Sequence, residues 1–148
     1  MNLKERLQAD LINAMKTHDE TSKWVVKMIK SAIQLAEVAK GGELDQDEIL
    51  AIVQKEIKTR EESKADAQKA NRKDLIDQAD KEIAALKAYL PAQLNPEELK
   101  DLIRGVIAQC SATSSKDMGV VMKTLQPLLA GRASNAEASR VVRELLAG

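Results

Sequence analysis

The stretch that decides the fold runs from Thr113 to Leu146, TSSKDMGVVMKTLQPLLAGRASNAEASRVVRELL. It spells out two short helices with their start and stop signals. Ser114 stands three residues before Asp117, and Ser134 three before Glu137. At that spacing a hydroxyl accepts from a free backbone N–H, while the carboxylate reaches back or favours the positive end of the helix. Gly131 follows the apolar run Leu125, Leu128, Leu129, where a left-handed residue closes a helix without a Cβ penalty. Pro127 falls inside the first of the two patterns and removes the bond to the Lys123 carbonyl, so that helix is expected to bend or split. Gly119 and Ala130 are small enough to let neighbouring helices approach closely. No catalytic constellation is visible here. The segment reads as a compact helical head carrying Lys116, Lys123, Arg132, Arg140 and Arg143 around its surface.

Just upstream lies a boundary, Tyr89-Leu90-Pro91 through Asn95-Pro96. Pro91 cannot continue a helix and pushes Leu90 toward an extended shape. Asn95 then caps a new helix, with Pro96 at its first position and Glu97 and Glu98 in its first turn. Leu99, Leu102, Ile103, Val106 and Ile107 supply its buried face. The expected organisation is an N-terminal helical domain at 1–90, a linker at 91–95 and a small C-terminal helical domain at 96–148.

Farther upstream, helical spacing dominates. Leu3, Leu7, Leu11 and Met15 form one apolar stripe, and Val25, Met28, Ile29, Ala32, Ile33 and Ala36 a second, ended by Gly41 and Gly42. Asp45 and Glu48 read as a capping box before Ile49, Leu50, Val53 and Ile57. Residues 58–74 contain no large apolar side chain, and the stripe Leu75, Ile76, Ala79, Ile83, Leu86, Leu90 follows. This predicts a long helical hairpin that turns near Asn71, a residue tolerant of the left-handed region. Its charges Lys58, Arg60, Glu61, Glu62, Lys64, Asp66 and Lys69 read as a solvated face. No alternating strand pattern survives, so the fold class is all-α: an N-terminal helical bundle with a long hairpin, plus a small C-terminal lobe.

Composition narrows the function. The chain of 148 residues has a formal net charge of zero, which argues against a general polyanion binder. The balance is uneven: residues 1–90 hold 16 Lys and Arg against 17 Asp and Glu, whereas residues 99–148 hold 7 against 4. A polyanion contact is therefore to be sought late in the chain. With one Trp, one Tyr and no Phe, single-stranded RNA is not read by base stacking. The single cysteine, Cys110, excludes an internal disulfide, fits a reducing compartment and reads as a small core residue. His18, the only histidine, reads as a surface residue between helices and cannot supply a metal cluster alone. Residues 1–15 are charged throughout and no long apolar run exists, so a cytoplasmic protein without a membrane association is expected. Paired carboxylates fall on polar helical faces, Cys110 lacks an activating histidine, and no glycine-rich phosphate loop is present. The expectation leans against an enzyme: no catalytic residue, no metal site and no cofactor.

The run ATSSKDMGVVMKTL, with GRA at 131–133 and VVRELL at 141–146, resembles the C-terminal signature of the YqeY family. Similarity extends over the whole chain, through LKERLQADLINAMK (3–16), VQKEIKTREES (53–63) and LKAYLPAQLNPEEL (86–99). That family is related to the C-terminal helical and tail region of the B subunit of the tRNA-dependent Asp/Glu amidotransferase, a glutamine-dependent carbon–nitrogen ligase. The resemblance implies an all-α module that holds tRNA but lacks the amidotransferase catalytic domain. It makes Lys116, Lys123, Arg132, Arg140 and Arg143 the tRNA-binding candidates, with helix N-termini at Ser114 and Ser134 offering N–H groups to phosphate. Two departures stand out: Val120 occupies a position where the family usually carries lysine, and Ser134-Asn135 replace the usual Asp-Gly after GRA. The competing reading is a protein-interaction adaptor using the hairpin or an apolar groove between lobes. In that reading Met118, Met122, Leu125 and Leu129 line the groove rather than the core.

Overall fold

A computed structural model describes residues 2–147. Among these residues the regular elements are all helical: α1 (Leu3–Thr17), α2 (Glu20–Lys40), α3 (Gln46–Lys69), α4 (Lys73–Lys87), α5 (Pro96–Cys110), a 3₁₀ turn (Ser115–Asp117), α6 (Met118–Leu129) and α7 (Asn135–Ala147). The chain is all-α. It divides into two compact units, one ending at Leu90 and one beginning at Pro91.

In the first unit the helix boundaries follow local chemistry. Asn2 with Glu5, and Asp45 with Glu48, form reciprocal capping boxes at the starts of α1 and α3. His18 and Gly41 close α1 and α2 in the left-handed region, and Asn71 does so after α3 at φ 55°. Leu7, Val25, Val26, Ile29, Ile33, Ile49, Val53, Leu86 and Tyr89 form the core. Helices α1 and α2 run antiparallel, as the Lys4–Glu37 and Gln8–Lys30 side-chain pairs show. The first stripe only partly reaches the core: Leu7 is buried, whereas Met15 is 54% exposed. An exact four-residue spacing drifts around a helix that repeats every 3.6 residues, so Met15 has rotated away from the face that Leu7 occupies.

The α3–α4 hairpin corrects the expectation of a uniformly solvated charged face. Arg60 is only 7% exposed. Its guanidinium donates to the Glu56 carboxylate at 2.6 Å, to the Glu82 carboxylate at 3.1 Å and to the Glu56 carbonyl at 3.2 Å. Lys64 bridges to Asp80 at 2.8 Å farther toward the tip. Lys58, Glu61, Glu62, Asp66 and Lys69 are exposed as expected. The buried apolar side chains of this region are few, Ala67, Ala79 and Ile83, and the Arg60–Glu82 and Lys64–Asp80 pairs link the two arms.

A cleft of about 220 Å³ is lined by Asp10, Asn13, Asp19, Ser22 and Tyr89, among others. Its charged and hydroxyl groups are already engaged. The Tyr89 hydroxyl donates to Asp10, the Arg6 guanidinium lies 4.6 Å from the Tyr89 ring centroid and donates to the Ala88 carbonyl, and Asp19 caps α2. Burial first, then the hydrogen bond to Asp10, push the Tyr89 phenol above its ordinary range. A phenol raised in the folded state contributes stability that is complete below its unfolded pKa of about 10 and is lost as pH rises beyond it. Because Tyr89 is the only tyrosine, phenolate absorbance in an alkaline titration should rise together with loss of helical circular dichroism. A phenolate signal appearing well before unfolding would show the hydroxyl to be open to solvent.

The second unit packs α5, α6 and α7 around Leu99, Ile103, Val106, Val121, Leu125, Leu129, Ala138, Val141, Val142 and Leu146. Asn95 and Glu98 form the predicted capping box, with Pro96 in the first turn of α5. The linker strand returns to this unit: the Leu94 N–H donates to the Arg132 carbonyl at 2.9 Å, and the Gln93 side-chain amide donates to the Gly131 carbonyl at 3.0 Å. Cys110 is half-buried against this core, its thiol 3.5 Å from the Thr124 hydroxyl. Pro127 does not split α6, which runs unbroken from Met118 to Leu129. Both Pro127 and Lys123 are exposed, so the lost helical bond lies on the solvent side, where water satisfies the carbonyl.

Candidate nucleic-acid interface

Each sequence-predicted basic residue belongs to the second unit, but they stand in different situations. Lys116 sits in the 3₁₀ turn and Lys123 on α6, both exposed, and Arg143 is exposed on α7. Among the described residues none of these three side chains has a hydrogen-bond or ion-pair partner. Arg140 on α7 pairs with Glu144 at 2.9 Å across one turn, with both side chains more than half exposed. Such pairs hold an arginine weakly and leave it able to exchange partners.

Arg132 is engaged locally. Its guanidinium donates to the Leu128 carbonyl at 2.7 Å and to the Leu129 carbonyl at 3.3 Å. The end of α6 needs this. Ala130 and Gly131 both turn into the left-handed region, at φ 46° and 78°, and the last helical carbonyls lack intrahelical partners. The expected glycine stop at Gly131 is present, joined by Ala130, whose Cβ makes the same conformation costly. A cation at the negative end of a helix is favourable. The charge of Arg132 is legible in the sequence; this use of it is not.

The predicted helix starts are also present, with consequences for anion binding. The Ser134 hydroxyl accepts from the Glu137 N–H at 3.1 Å. At the other start, the Asp117 carboxylate accepts from the Thr113 N–H at 2.9 Å and the Ser114 N–H at 3.3 Å. These backbone bonds hold the Asp117 carboxyl below its usual range. An ionised carboxylate thus occupies the N–H groups at Thr113 and Ser114, beside the expected phosphate position, and repels a second anion there.

The outer face of α6 is where exposed features converge. Val120 and Lys123 stand three residues apart on one side of α6, and Lys116 lies in the 3₁₀ turn that leads into it. Val120 is 58% exposed. Gly119 beside it has nothing within 4 Å of where a Cβ would stand. No neighbouring helix uses the small residue, contrary to the expectation of close helix packing. Met118 and Met122 are partly buried against the core and Leu125 and Leu129 are within it, so this stripe is core rather than groove.

A family model described as Yqey-like protein matches residues 4–146. The chain belongs to the YqeY-like family. A curated relative, the "Altered inheritance of mitochondria protein 41, mitochondrial" of Pyrenophora tritici-repentis, is 24% identical over 145 residues, covering 95% of this chain and 79% of that protein. Among the described residues of this YqeY-like protein, no helix is long and apolar enough to cross a membrane. Among the described residues no group of three or more His, Cys, Asp or Glu could hold a metal ion.

Proposed function

We propose that this YqeY-like protein is a non-catalytic, cytoplasmic tRNA-binding module whose C-terminal lobe contacts the phosphate backbone by charge and shape. The observation that carries the reading is the outer face of α6 and the 3₁₀ turn before it, where among the described residues Lys123 and Lys116 are exposed and unpartnered, with the open Gly119 between them in sequence. A glycine in a helix costs about 0.5–1 kcal/mol relative to alanine. The fold gains no packing in return at Gly119, and close approach of a ligand backbone supplies a reason for it. Similarity to the amidotransferase B-subunit tail favours tRNA among polyanions, and the half-buried Cys110 suits a reducing compartment. Lys123 and Arg143 lead the contacts, followed by Lys116 and Arg140. Arg132 acts chiefly by closing α6.

The test is a salt titration of tRNA affinity. Each lost phosphate contact should flatten the log–log slope by roughly 0.7–0.9. Lys123→Ala and Arg143→Ala are expected to do this equally for different tRNAs with helicity unchanged. Val120→Lys should strengthen binding, and Lys64→Ala, in the hairpin, should leave it alone. Arg132→Ala should also lower stability, by about 1 kcal/mol for the lost carbonyl bonds. Gly119→Ala separates the proposal from a merely structural reading, because it should raise thermal stability while weakening tRNA binding. Unchanged slopes in both Lys123→Ala and Arg143→Ala would remove the tRNA reading.

A further inference from the structure

Helix α2 carries an apolar strip on its wrong side. Val25, Ile29 and Ile33 are buried in the core, yet Trp24, Leu35 and Val38 are 56%, 73% and 77% exposed. With exposed Ser31 between them, these positions fall at 24, 31, 35 and 38; the remaining step is filled by half-buried Met28, whose sulfur accepts from the Arg60 guanidinium at 3.1 Å and so lies at the inner margin of the strip. That is the alternating four-and-three spacing of a coiled-coil seam, carried on the helix face turned away from the core. One edge of the strip is basic. Lys23, Lys27 and Lys30 follow one another along it; Lys23 lies 4.0 Å from Glu20, Lys30 donates to Gln8, and Lys27 has no side-chain partner among the described residues.

We propose that this face of α2 docks an amphipathic helix of a partner protein, one that carries an apolar seam of the same spacing and acidic residues along the edge facing the lysines. The charge distribution selects this occupant. An antiparallel copy of α2 overlapping the whole seam would set Lys27 and Lys23 opposite Gln34 and Glu37, and Glu37 is already engaged by Lys4 and the Leu44 N–H; a parallel copy would set the lysine edge against Thr21, Ala32 and Ala39, which carry no charge. A lipid surface takes a broad apolar face, whereas this strip is one side chain wide and interrupted by Ser31. The rigid 21-residue helix, held from behind by the core, offers a seam of several turns without further ordering. The surface lies in the first unit and is independent of the basic face proposed for tRNA.

Trp24 is the only tryptophan, so its fluorescence reports occupancy directly. The probe is a synthetic helical peptide with leucine at the seam positions and glutamate along both edges, titrated into the full chain. A saturable blue shift of Trp24 emission is expected. A peptide with the same leucines and lysine edges should bind about tenfold or more weaker, reflecting like-charge contact. Leu35→Asp, at an exposed position, should cost about tenfold in binding with circular dichroism unchanged. Lys27→Glu should reduce the preference for the glutamate-edged peptide. No shift with either peptide, equal binding of both, or a larger shift with phosphatidylglycerol vesicles would overturn the proposal. So would sedimentation as a dimer that Leu35→Asp dissociates, which would make a second copy the occupant.

Discussion

Replacing Arg60 with alanine is expected to destabilise the N-terminal unit by about 3–5 kcal/mol, the usual consequence of removing one partner from a buried ion cluster. The guanidinium is flanked by Glu56 and Glu82, whose side chains are only 21% and 15% exposed. Without it, two carboxylates remain close together in a poorly solvated seam, with no cation to offset their repulsion. The loss is therefore larger than the pair's own net contribution, which desolvation keeps small. Denaturant unfolding of the full chain measures it. The triple change Arg60→Met, Glu56→Gln, Glu82→Gln should recover most of the loss, because it removes the stranded charges along with the cation. A loss below about 1 kcal/mol for Arg60→Ala would mean that the cluster behaves as an ordinary surface pair.

Leu125→Ala should cost about 2–5 kcal/mol, as expected for a leucine removed from a tight core. Leu125 is completely buried among α5, α6 and α7. The C-terminal unit is small, and a domain of this size has little stability to spare. The expected result is loss of amide protection throughout residues 91–147 while α1, α2 and the first half of α3 remain protected, because the two units are proposed to unfold separately. In the unmodified chain, α5–α7 should already exchange faster than those N-terminal helices. Val120→Ala, on the exposed face of the same helix, should change stability by no more than about 0.5 kcal/mol. Equal loss of protection in both units would show a single cooperative structure and end the two-unit proposal.

These two effects differ in how early they could be seen. Leu125 was legible as apolar within a helical pattern, although the same pattern also admitted a groove. Arg60 was not legible as buried. It stands in a run of charges that is solvated almost everywhere else, and only the arrival of Glu82 from α4 makes its position an interior one. The candidate site divides in the same way. Lys116 and Lys123 were visible as charges at helical spacing, and both are exposed. That Arg132 would spend its guanidinium on the carbonyls of Leu128 and Leu129 follows from the left-handed turn at Ala130, which carries no glycine to announce it.

The sequence by itself determined the helices and most of their ends. Asn95 with Glu98, Asp45 with Glu48, Ser134 with Glu137 and Asn71 at the hairpin turn act within about four residues, so no distant partner is needed to specify them. Family membership was legible for a related reason, since blocks such as KDMG and GRA are contiguous. Tertiary structure alone decided which sides of those helices face inward. It buried Arg60 and turned Met15, Leu35 and Val38 outward. It also left Gly119 without a neighbour. A helix presents every side chain somewhere around its circumference, and only the helices packed against it determine which of those directions lead to water.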